Sequence, residues 1–116
     1  MRRILTSLLF ALALMPPAHA QAAADPHGYS LSAEQWALSR SGDSLIRLAA
    51  VRDAMAEWLA TPHAKMRIQY SGSDAASLWA GELSDWLVAL GIPADRIEKH
   101  VSADQAEDAV ILEVRS

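Results

Sequence analysis

The sequence predicts a small α+β domain, with two helices packed on one face of a three- or four-stranded mixed sheet in the order β-α-β-α-β(β). Three observations carry this expectation. Two stretches, Leu45 to Leu59 and Ala75 to Leu90, repeat apolar residues at spacings of three and four, the period of a helix with one buried stripe. Lys65 to Tyr70 alternates at period two, and Val110 to Val114 is a run of strong β-formers with the same alternation, the mark of strands covered on one face. Each element thus has a single apolar face, and two packed layers bury all of them.

The chain opens with the three zones of a cleavable secretory signal peptide over residues 1–20. Arg2 and Arg3 supply the positive start, and Ile4 to Met15 form an apolar run broken only by Thr6 and Ser7. Pro16 and Pro17 end any helix, because proline lacks the N–H and clashes with the preceding turn. Ala18-His19-Ala20 places small residues at the processing site, so cleavage is expected between Ala20 and Gln21. A spanning helix needs about 20 apolar residues, more than this run offers, which argues against a retained anchor. Ile4-Leu5-Thr6 does not complete a twin-arginine signal, which leaves general secretion. The chain has no cysteine, hence no lipidated cysteine and no disulfide scaffold. The expected address is the periplasm, with secretion beyond an outer membrane left open.

Removal of residues 1–20 leaves 96 of 116 residues, one domain's worth. Eight basic residues then face fourteen acidic ones, a net charge of −6. Nucleic acid requires a concentrated basic patch, and anionic lipid attracts polybasic segments. The composition therefore argues against both as partners.

Residues 21–30 contain Pro26 and Gly28 without an apolar period and are read as a flexible leader. The domain proper is expected over 31–116. Leu31 to Ser39 suggests a short strand carrying Trp36 and Leu38, with a turn at Ser41-Gly42-Asp43. The first helix stacks Leu45, Leu48, Val51, Met55, Trp58 and Leu59 on one side, with Asp43 or Ser44 as its N-cap. Thr61-Pro62 stops it. Met66, Ile68 and Tyr70 face one way in the next strand. Ser73 or Asp74 caps a second helix, whose stripe is Ala75, Ala76, Trp79, Leu83, Trp86, Leu87 and Leu90. Gly91 suits its left-handed C′ position, with Pro93 just beyond. Short strands over Ile97 to Val101 and Val110 to Val114 complete the order, separated by a polar loop.

From Leu45 to Pro93 this layout resembles the peptidoglycan-binding domain of the outer-membrane protein A (OmpA-like) family. The shared features are a helix ending near a proline at Trp58-Leu59-Ala60-Thr61-Pro62, the strand Lys65-Met66-Arg67-Ile68-Gln69, a loop with Gly72 and Asp74, and the run Asp85 to Ile97 through Gly91-Ile92-Pro93. The likeness extends over about residues 33–115. In that family an aspartate in a Gly-His-Thr-Asp loop and an arginine on the following helix grip diaminopimelate, a zwitterion that needs one anion and one cation at fixed separation. Here the loop reads Ser71-Gly72-Ser73-Asp74, and Trp79 stands at the arginine position. The family's basic stretch before the last strand falls near Glu107-Asp108-Ala109. The resemblance implies a reduced OmpA-like scaffold without the usual charged pair.

Asp74 and Trp79 are accordingly the two candidate ligand-binding residues. Asp74 has a competing reading as a helix cap. Trp36, Trp58, Trp79 and Trp86 include three on helical stripes, where core packing competes with a sugar platform; an exposed Trp79 would suit a protein partner. His19, His27, His63 and His100 lack the i, i+4 spacing of a paired ligand set, so no metal or other cofactor is expected. Ser71 and Ser73 have no base in an evident triad, and phosphate binding at that helix start has only a common Ser-Gly-Ser to support it. The expected function is a non-catalytic exported domain acting through protein contacts in the cell envelope. A cell-wall-binding module using Asp74, Arg67 and Arg96 is the alternative, with peptidoglycan the less favoured partner. A small envelope enzyme is a further one, requiring a pocket that joins His63 or His100 to a carboxylate. N-terminal sequencing of the chain recovered from a periplasmic fraction is expected to begin at Gln21; an intact Met1 start there would contradict the signal peptide.

Overall fold

The computed structural model describes residues 28–38 and 42–116. The expected signal peptide, its cleavage point and the leader up to residue 27 lie outside the described residues. Eight elements follow in order: β1 (Tyr29–Ser32), α1 (Ala33–Ala37), α2 (Gly42–Leu45), α3 (Ala49–Ala60), β2 (Lys65–Tyr70), α4 (Asp74–Ala89), β3 (Ile97–Val101) and β4 (Ala109–Arg115), with a 3-10 turn at Ala94–Arg96 before β3. The strands form one mixed sheet in the order β1-β4-β2-β3. β2 and β3 run parallel, whereas β4 lies antiparallel to both β1 and β2. The α+β architecture with two principal helices on the sheet is the expected one.

Period-two alternation decides which face is covered. Leu31, Met66, Ile68, Val110 and Leu112 are all fully buried. The register aligns Leu31 with Val110 and Ile68 with Leu112, so these side chains share one face. α3 lies against β1 and β4, and α4 lies against β2. From the helices, Val51, Ala54, Trp79, Ala80, Leu83 and Leu87 close the core. Trp36 and Trp79 stack at a ring-centroid distance of 6.2 Å.

The end of α4 follows its sequence punctuation closely. Ser73 caps the helix by accepting from Ala76 N–H at 3.1 Å. At the other end Gly91 takes φ +121°, Ile92 N–H donates to Leu87 O and Gly91 N–H to Val88 O. These are the two bonds of a Schellman motif, and Ile92 is buried beneath them.

Three expectations need correction. The strand read over Leu31 to Ser39 is four residues long and begins earlier, at Tyr29, so the leader does not reach residue 30. It stops because Ser32 and Gln35 form a reciprocal capping box that starts α1, which puts Trp36 on a buried helical turn and leaves Leu38 exposed. Second, the helix expected from Leu45 is split. Arg47 N–H donates to Ser44 O and Leu48 N–H to Leu45 O, a tight turn, before α3 restarts. Its N-cap is therefore Leu48, without a side-chain bond, and neither Asp43 nor Ser44 caps it. Third, α3 buries Ala50, Val51 and Ala54, while Leu59 is exposed; small residues allow close approach to the sheet, which apolar spacing alone does not reveal.

β1 is tied down twice. Tyr29 Oη donates to Glu57 Oε1 at 2.8 Å, and this bond holds the phenol above its ordinary pKa by favouring the protonated form. Just before it, Gly28 has φ +141°, and a Cβ there would lie 2.5 Å from Leu112 O. Gly28→Ala is expected to cost about 1–3 kcal/mol in strain and to lower the thermal midpoint; an unchanged midpoint would contradict this close approach.

Candidate functional site

The sheet face opposite the helices carries a ladder of charge. Arg67 on β2 stands in register with Glu98 on β3 and Glu113 on β4. Its Nε lies 3.8 Å from Glu98 and its Nη1 3.8 Å from Glu113. Lys65 reaches Glu98 at 3.5 Å and Arg115 reaches Glu113 at 3.4 Å. Gln69 donates to Glu113 at 3.3 Å. Every charge in this ladder has an opposite neighbour, so the face largely neutralises itself. Lys65–Glu98, the pair with both side chains exposed, contributes about 0–1 kcal/mol, while Arg67 and Glu113 at the centre are half-buried.

The β3 side of the molecule differs. β3 is an outer strand of the sheet. Ser102 N–H donates to Tyr70 O at 2.8 Å, which fixes which backbone groups of this strand face β2. Because those groups alternate sides along a strand, the N–H and C=O of Lys99 and Val101 face away from the sheet. Side chains alternate as well. Lys99 pairs with Ile68 and Val101 with Tyr70, which places both side chains on the helix-bearing face.

There, an open groove of about 570 Å³ runs between α4 and β3, lined by Asp74, Ser77, Leu78, Gly81, Glu82, Asp85 and Lys99. The α4 residues recur at three and four, opposite the buried stripe of that helix. Asp74, Glu82, Asp85 and Lys99 take part in none of the ion pairs among the described residues. Three carboxylates against one ammonium make the groove acidic. At its centre, a Cβ on Gly81 would meet nothing within 4 Å. Packing therefore does not require glycine there, although glycine in a helix costs about 1 kcal/mol relative to alanine.

The two candidate ligand residues separate. Asp74 lines the groove as the first residue of α4, exposed, while the capping bond belongs to Ser73. Trp79 faces inward, 7% exposed, against Trp36; it is part of the core rather than a surface contact. Asp74, Arg67 and Arg96 do not converge either. Arg67 sits on the opposite sheet face, and Arg96 Nη1 donates to Ala64 O at 3.2 Å.

A second hollow of about 280 Å³ is lined by Trp58, Leu59, Thr61, His63, Ala64, Pro93 and Arg96. His63 adopts a left-handed φ of 59°, yet no carboxylate lines this hollow. His100 pairs with Gln69 on the charged-ladder face. Neither histidine thus gains the carboxylate partner that an acid–base site requires in these hollows. Among the described residues no three His, Asp or Glu side chains gather as metal ligands, and no helix is long and apolar enough to cross a membrane.

Sequence reasoning passed over Leu78, Gly81, Glu82, Asp85 and Lys99. The available signal was Gly81 inside a strong helix pattern, on the same face as Asp74, Glu82 and Asp85. Comparisons with protein-family models, with curated proteins and with solved structures find no match for this chain.

Proposed function

We propose that the chain is a non-catalytic, exported domain that acts through protein contacts in the cell envelope, using its α4–β3 side. The observation that carries this reading is the pairing of an outer strand edge with a groove whose charges are unmatched among the described residues. A surface already satisfied internally, such as the Arg67 ladder, gains little from a partner. Unmatched charge and unpaired backbone gain directly from one. Export rests on the signal-peptide pattern of residues 1–20. Kinship with the OmpA-like family rests on the helix-to-Gly91-Ile92-Pro93 layout, which the family uses in the cell envelope.

Within that kinship, this domain has exchanged the zwitterion grip for another contact. A grip on diaminopimelate needs a cation beside Asp74, and the family's arginine position is occupied by the buried Trp79. The cell wall is thus not its ligand by the family's route. Sedimentation with intact sacculi tests this. The exported chain is expected to stay in the supernatant. Strong, diaminopimelate-dependent sedimentation that Asp74→Ala abolishes would overturn the reading in favour of a cell-wall-binding module.

A further inference from the structure

A strand edge with free N–H and C=O groups binds whatever extended chain can lie about 4.8 Å away from it. In β3 those groups belong to Lys99 and Val101, on the edge that adjoins the acidic groove. A strand added there would point alternate side chains out of the sheet on the side that carries α4. Asp74 to Asp85 spans eleven residue steps of helix, roughly 16 Å at 1.5 Å per residue, which matches about five residues of extended chain at 3.3 Å each. β3 itself has five residues. The helix face and the edge strand are therefore of similar length.

Charge selects the occupant. The groove beside that edge is lined by the carboxylates of Asp74, Glu82 and Asp85, with Lys99 the one cation of its lining. Leu78 and Val101, both more than half exposed, supply apolar contact. Gly81 leaves the middle of α4 open where a side chain would stand. We infer that the groove between α4 and β3 receives an extended segment of a partner protein, added as a further strand on β3 with lysine or arginine side chains directed at Asp74, Glu82 and Asp85. This inference rests on the protein-contact reading above and specifies its partner's chemistry. Main-chain bonds to Lys99 and Val101 supply a sequence-independent part of the affinity, and the carboxylates supply the selection.

The probe is an N-acetylated, C-amidated hexapeptide alternating valine with lysine, and its counterpart alternating valine with glutamate, each titrated into the isotope-labelled exported chain by NMR. The lysine peptide is expected to shift the Lys99 and Val101 amides saturably, to slow their hydrogen exchange, and to bind more weakly as salt is raised. The glutamate peptide is expected to leave them unmoved. Gly81→Gln fills the groove with a better helix former, so it should weaken lysine-peptide binding at least about tenfold without lowering the melting temperature. Equal binding of both peptides, shifts confined to Arg67 and Glu98, or unchanged affinity in Gly81→Gln would overturn the inference. So would Lys99 and Val101 protection that grows with protein concentration alone, which assigns the edge to a second copy of the chain. Failure with both peptides removes the basic strand as occupant but leaves the protein-contact reading, which the sacculus experiment decides separately.

Discussion

The last strand of the chain holds the fold together from the middle of the sheet. β4 pairs with β1 on one side and β2 on the other, although β1 lies near the start of the described chain and β4 at its end. Val110 and Leu112 enter the core completely, each contributing about 1.5–3 kcal/mol of burial. Without β4, β1 has no sheet partner, α3 loses one of the two strands it covers, and Gly28 has nothing to approach. Most of the order in the N-terminal half is therefore lent by residues about eighty positions downstream. Such non-local pairing is expected to slow closure of the sheet.

That placement also determines what remains open. With β4 inside the sheet and β2 beside it, β3 is left on the outside, with one row of backbone groups unpaired among the described residues. Natural sheets blunt such edges with charge, short strands or cover. β3 is short and carries Glu98, Lys99 and His100, and α4 packs on β2. The contrast between the two sides of the sheet is the informative one. Three cations and two carboxylates on the far face are linked by ion pairs, whereas the four charges around the groove join none among the described residues.

Local rules made much of this legible in the sequence. Ser73, Gly91 and Pro93 bracket α4 because capping and left-handed closure depend on residues within one turn of the helix end. Met66 and Ile68 face the core because strand alternation is strict. The misread segments were those where a local signal competed with a distant one. Leu31 to Ser39 has apolar residues at strand-like spacing, but Ser32 and Gln35 form a helix start. Leu45 to Leu59 has a continuous helical period, but a turn at Ile46 to Leu48 interrupts it while leaving the buried face intact. Only one wall of the groove was legible, as Gly81 among Asp74, Glu82 and Asp85 on one helix face; the groove itself was not. It requires knowing that β3 is the outer strand, and strand order is set by long-range pairing rather than by any residue of β3.

Individual backbone amide exchange rates in the free chain test the sheet order and its open edge together. Slowest exchange is expected in β2 and β4, as befits strands paired on both sides. Along β3, protection should alternate: Glu98, His100 and Ser102 slow, Lys99 and Val101 fast. Uniformly slow exchange through β3 would contradict the open edge, and fast exchange throughout β4 would contradict its place at the centre.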